Sequence, residues 1–257
     1  MLPAMSDRPA KAPEREPDPP RTRFRRALLW PLLGVAVLWT IAGIQAAMSA
    51  NWIRLGVFPR DPATLTGILT APLIHESWMH LMANTPALLG LGALATFGYP
   101  RATRLAVPLI WLFSGIGVWL FARESFHIGI SGLTHGLMFF IVVIGFLRRD
   151  PMAIALALVV FLVFGGMAAG IFPQEPGVSF EYHLFGALSG ILCALMMYRL
   201  DPAPWRRQQE PPEEDESADA QTADGESQPA DLHESGALPP EAEPGSRTGD
   251  DNRPRGN

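Results

Sequence analysis

The chain has a single cysteine, Cys193, set in an apolar stretch. That excludes an internal disulfide and argues against a structural zinc site. It also lacks strand patterning and any internal repeat, which leaves helices as the only regular element to expect. Beyond Glu210 it has almost no large apolar residues, only an acidic run rich in Pro, Ser, Gly and Ala that opens Pro211-Pro212-Glu213-Glu214-Asp215-Glu216. Such a segment cannot offset its own ordering entropy and is expected to be disordered. The formal net charge of −5 comes largely from that tail and says nothing about the partners of the folded part. Three regions follow: a Pro- and Arg-rich disordered amino terminus (1–26), an apolar domain (27–200) and an acidic disordered tail (201–257).

The apolar domain contains six long hydrophobic segments, at about 27–48, 80–97, 102–121, 131–147, 152–172 and 184–198. A spanning helix needs roughly 20 apolar residues, and most of these approach that length. The first exceeds a signal-peptide core and five more follow, so it reads as an uncleaved span. The expected fold is all-α, a polytopic six-helix membrane bundle.

Arginine placement sets the orientation. Arg21, Arg23, Arg25 and Arg26 precede the first segment. Arg101 with Arg104, Arg148 with Arg149, and Arg199 with Arg206 and Arg207 mark the alternate connections, whereas the other loops hold only Arg54, Arg60 and Arg123. Both termini are expected in the cytoplasm. Segments two, four and six then run inward together, and their amino-terminal ends share the outer face.

The unusual polar residues gather in that layer: His75, His80 and Asn84, then Ser131, then His183. Ionisable side chains at membrane depth are expensive unless paired and point to function. Ser131 lies in Gly129-Ile130-Ser131-Gly132 at the start of segment four. Taken alone it serves equally well as a small residue at a helix contact. As a nucleophile, it would use the flanking glycines to let backbone approach a substrate. Segment four spans only about 25 Å, which would sink Ser131 below the outer surface beside a water-filled cavity.

His183 could be an interfacial histidine bonded to a loop. Gly186 and Gly190 on its helix form a GxxxG that would draw the helix against a neighbour. If that neighbour is segment four, His183 can serve as general base to Ser131. No Asp or Glu is clearly placed to orient it, so a dyad is expected. His80 and Asn84, four residues apart, share a helical face and with the Ser131 N–H could form an oxyanion site. Asn84 could equally be polar glue between helices. His135, one turn after Ser131, could be an alternative base, a ring packed on His183 or a satisfied core histidine; packing is favoured. Glu76 and His127 read as wet loop or interface residues. A zinc-protease reading of His75, Glu76 and His80 meets an obstacle, because a histidine spacing of five on a helix separates the two by about 140°.

These residues resemble the rhomboid family of intramembrane serine proteases, through the pattern at His75, His80 and Asn84, the Gly129–Gly132 motif, and His183 followed by Gly186 and Gly190. The resemblance covers about residues 27–200. It implies Ser131 as nucleophile, His183 as general base, and His80, Asn84 and the Ser131 N–H around the oxyanion. His75 and Gly129 would support them, and His135 would be a modulator. It implies cleavage of membrane-protein helices near the outer face of a bacterial inner membrane, with the lipid bilayer and substrate helices as partners and no cofactor, metal or nucleic acid. It further implies a first outer loop (49–71) in the outer leaflet, with segment five and the loop 173–182 as gate and cap, and Gly165-Gly166 giving segment five its flexibility. Two departures stand out. The Trp-Arg that many rhomboids carry in the first outer loop is absent from the stretch Thr64–Ile68, and His135 stands where many have Tyr or Phe, as in the rhombosortase branch. An inactive relative that binds membrane helices is the non-enzyme alternative.

Overall fold

A computed structural model describes residues 19–173 and 177–201. Most of both regions expected to be disordered lies outside these limits. The first helix, α1 (Pro20–Ala47), begins inside the stretch assigned to the amino-terminal region. Proline at the first helical position and four arginines with good helix propensity explain the early start.

The other helices are α2 (Gly67–Thr70), α3 (Trp78–Gly98), α4 (Pro100–Phe121), α5 (Ser131–Arg148), α6 (Pro151–Phe164) and α7 (Phe180–Met197). Among the described residues, six helices are long and apolar enough to cross a membrane; the fifth of these includes a 3-10 continuation of α6, Gly165–Ile171. No named strand occurs among the described residues. One isolated bridge pairs Val57 with His127.

Helix α5 is the axis of the bundle. It packs against α3, α4, α6 and α7, and Leu137, Phe140, Ile141 and Ile144 on it are fully buried. Helices α1 and α6 expose Leu29, Leu33, Phe161 and Leu162, as faces turned to lipid would. Helix α1 is held to α3 by two side-chain bonds, Trp30 Nε1–H to Thr96 Oγ1 at 2.6 Å and Trp39 Nε1–H to Thr85 Oγ1 at 3.1 Å. In hydrocarbon such bonds take the role that apolar burial plays in water.

The expected GxxxG contact is present and is reciprocal. A Cβ on Gly186 or Gly190 of α7 would run into the carbonyls of Gly132 and Gly136 of α5. The partner helix therefore carries its own small-xxx-small pair, Gly132 and Gly136. The two backbones touch, and this brings the starts of α5 and α7 together.

Candidate active site

The loop before α5 is fixed by backbone bonds to the segment between α1 and α3. His127 and Val57 exchange N–H···O bonds of 2.8 and 3.0 Å, and Gly129 N–H donates to Ala71 O at 2.9 Å. Gly129 has φ +105°, a conformation suited to glycine. A side chain there would also strike the His80 ring, whose Cε1 would lie 2.8 Å from the added Cβ. The chain therefore turns tightly beneath His80 and enters α5 at Ser131.

Helix α5 has no side-chain cap at its start. The N–H groups of Ser131 and Gly132 have no backbone acceptor among the described residues. They are the orphan donors of a helix amino terminus, with the positive end of the helix dipole behind them. Ser131 itself is 6% exposed.

His80 and Asn84 stand on one face of α3, as their spacing implied. The Asn84 side chain donates one N–H to His80 O at 3.0 Å, which fixes the amide and leaves its second N–H uncommitted. His75 precedes α3 rather than lying on it, because Ser77 caps the helix by accepting from His80 N–H at 3.1 Å. The helical-wheel separation of His75 from His80 thus does not apply. Their rings meet edge to face with centres 5.0 Å apart. His75 Nε2 accepts the Ile130 N–H at 3.4 Å, so it braces the residue just before Ser131. Burial, and then the neighbouring His80, hold the His75 imidazole down at about 4, while the Leu73 backbone acts in the opposite direction. It is neutral at neutral pH and able to accept that bond.

His183 lies in the first turn of α7, which starts at Phe180, four residues before the expected boundary. Ser179 caps that helix, accepting from Tyr182 N–H at 3.2 Å. Its hydroxyl is also 2.6 Å from His127 Nδ1, while His127 Nε2 faces Arg123 O at 3.0 Å. His127 is therefore not a wet loop residue. It is 1% exposed and ties the α5 entry loop to the cap of α7, and burial lowers its affinity for a proton. A lone histidine in a loop carries no sequence signal of such a tie.

The His183 Nδ1 is 2.9 Å from Gly170 O in the 3-10 segment. An Nδ1–H donated there leaves the Nε2 lone pair free. No Asp or Glu is expected to orient His183, and the group that faces its Nδ1 is a backbone carbonyl. His135 stacks on His183, with ring centres 3.9 Å apart and planes 8° from parallel. Its Nδ1 is 2.8 Å from Ser131 O and its Nε2 is 3.1 Å from Met167 O. Ser131 Oγ and His183 make no direct hydrogen bond in this resting arrangement. Their helices are nonetheless in backbone contact at Gly132 and Gly186, one residue after Ser131 and three after His183.

Residues 62–200 match the family model described as the rhomboid domain. The chain belongs to the rhomboid family. It is a multi-pass membrane protein with the family's helical bundle. This rhomboid is 34% identical over 200 residues to uncharacterized proteins of Mycobacterium bovis and Mycobacterium tuberculosis, a match covering 72% of this chain and 83% of theirs. An uncharacterized protein of Mycobacterium leprae is 33% identical over 197 residues, covering 69% of this chain and 76% of its own.

Proposed function

We propose that this rhomboid is an intramembrane serine endopeptidase that hydrolyses a peptide bond in or beside a transmembrane segment of another membrane protein. Ser131 Oγ attacks the scissile carbonyl. His183 Nε2 takes the hydroxyl proton and returns it to the leaving amine, and water then hydrolyses the acyl-enzyme. The oxyanion is received by the orphan N–H of Ser131, the uncommitted N–H of Asn84 and the His80 ring, with Gly129 giving the close approach and His75 bracing the loop. No cofactor takes part. The observation that carries this reading is the Nδ1 bond of His183 to Gly170 O, which leaves Nε2 as the basic atom one helix away from a buried serine at a helix amino terminus.

The arginine distribution supports a cytoplasmic location for both termini, with Ser131 toward the outer face of a bacterial inner membrane. The organisation into a folded 27–200 core between short cytoplasmic ends is part of the same proposal.

The test is cleavage of a model transmembrane substrate by the protein reconstituted in lipid vesicles. Wild type cleaves, and Ser131→Ala and His183→Ala do not. Cleavage by Ser131→Ala overturns the serine mechanism. Stable binding of the substrate helix by a wild type that never cleaves it replaces the enzyme with a helix-binding protein.

A further inference from the structure

The side chains at the site come from α3, α5 and α7, yet the two stacked imidazoles take hydrogen bonds to a fourth element. His183 Nδ1 faces Gly170 O at 2.9 Å and His135 Nε2 faces Met167 O at 3.1 Å. Both carbonyls belong to the 3-10 segment Gly165–Ile171. A 3-10 helix has 3.0 residues per turn, so positions three apart lie directly over one another. Met167 and Gly170 are three apart. Continued α-helix would have turned their carbonyls about 60° from each other, and only the tighter winding aims both along one line at two parallel rings.

Residue 170 must also be small. A Cβ there would stand 3.0 Å from His183 Nδ1 and 3.2 Å from His135 Nε2, crowding both ring edges. The other nitrogen of His135 is 2.8 Å from the carbonyl of Ser131 itself, and because a neutral imidazole carries one N–H, its tautomer sets which of the two carbonyls receives the bond. One ring thus spans the backbone of the nucleophile and the turn that holds the base.

We propose that the 3-10 turn Gly165–Ile171 is the orienting third member of the catalytic machinery, with the Gly170 carbonyl in the place of a carboxylate and His135 as the positioning residue stacked on His183 between this turn and the backbone of Ser131. This rests on the assignment of Ser131 and His183 as nucleophile and base. The carbonyl selects the Nδ1–H tautomer of His183 and fixes the ring about its Cβ–Cγ axis. The stack on His135 fixes the plane of the ring. Displacing the turn releases both restraints together, so the competence of the base depends on the position of segment five.

The experiment combines kinetics in vesicles with 15N spectra of histidine-labelled full-length protein, for wild type, His135→Phe, His135→Gln and Gly170→Ala, with the His183 signal assigned by its loss in His183→Ala. His135→Phe keeps a flat ring against His183 and loses both nitrogens. It is expected to lower kcat about tenfold or more, in line with the effect of small misplacements, and to leave KM within about twofold. His135→Gln, whose amide can still donate to Met167 O, recovers part of that loss. Wild-type His183 shows Nδ1–H alone, whereas His135→Phe and Gly170→Ala show both tautomers. A wild-type His183 protonated at Nε2, or a folded His135→Phe with wild-type kcat and an unchanged spectrum, overturns the proposal. If Gly170→Ala does not fold, His135→Phe, His135→Gln and the wild-type spectrum decide. A wild type that cleaves nothing removes the protease reading, and its His183 tautomer still tests the turn.

Discussion

The rings of His135 and His183 lie face to face, 3.9 Å between centres and 8° from parallel, one from α5 and one from α7. Neither ring could hold this position alone, since each takes its plane from the other and its rotation from a carbonyl of the 3-10 turn. Stacked aromatic pairs are worth about 0.5–1.5 kcal/mol beyond their burial. The His135→Ala/His183→Ala cycle is therefore expected to show a coupling of about 1 kcal/mol in reversible unfolding in mixed micelles. Additive losses in that measurement would mean that the rings touch without supporting one another.

The contact between α5 and α7 is made by backbone, so it should tolerate almost nothing larger than hydrogen. Gly186→Ala and Gly190→Ala each place a methyl against the carbonyls of Gly132 and Gly136. Overpacking of that kind typically costs about 1–3 kcal/mol. It also separates His183 from Ser131, so activity is expected to fall further than stability. Gly43→Ala on α1 provides the control, because nothing lies within 4 Å of its Cβ. That change should stabilise the helix slightly, by up to about 1 kcal/mol. Thermal unfolding and cleavage rates of the three variants check the contrast.

At the other end of α5, a buried ion pair should affect stability without touching chemistry. Arg148 Nε donates to Asp150 Oδ2 at 2.7 Å, and the two side chains are 9% and 3% exposed. Arg148 also bonds the Asp201 carbonyl and lies over the Tyr99 ring, 5.4 Å from its centre. Asp150 in turn caps α6, accepting from Ala153 N–H at 3.0 Å. Removing one partner of such a pair costs about 3–5 kcal/mol because the other charge stays buried. Asp150→Ala is expected to lose that much and also its cap, while the folded fraction keeps the wild-type KM. Arg148→Leu combined with Asp150→Ser retains a cap and strands no charge, so it should lose less than Asp150→Ala. Unfolding free energies rank the variants, and a double variant weaker than the single one would contradict the account.

The six spans are legible in the sequence because hydropathy acts over whole helices, and the spacing of His80 and Asn84 sets them on one face of α3. The α5–α7 contact is legible through Gly186 and Gly190; of the matching pair, Gly132 reads as room for a substrate and Gly136 has no motif to mark it. What the sequence does not carry depends on where helices start and how they wind. A helix drawn through His75 overlooks the cap at Ser77, and α7 starts at Phe180 since Ser179 takes the Tyr182 N–H. A carboxylate facing His183 would show in residue identity, whereas the backbone carbonyl of Gly170 leaves no trace there. His127 reads as a wet loop or interface residue in the sequence because burial of a loop histidine is decided by segments distant in sequence, here Val57 and Ser179.

His75 gives the fold a dependence on pH whose sign can be worked out. Its imidazole is held near 4 in the folded protein, by burial first and by His80 second, against about 6.5 in an unfolded chain. Between these values the unfolded state binds the proton that the folded state refuses, so stability rises with pH. The contribution is complete above about 6.5, falls away as pH drops toward 4, and amounts to about 3 kcal/mol at most. Protonation also removes the acceptor for the Ile130 N–H, so the loop before Ser131 loosens over the same range. His75→Gln keeps an acceptor that does not titrate. Its unfolding free energy should therefore decline less than that of wild type from pH 7 to pH 4, and the difference between the two curves isolates His75 from the other histidines. Parallel curves would place the acid sensitivity elsewhere.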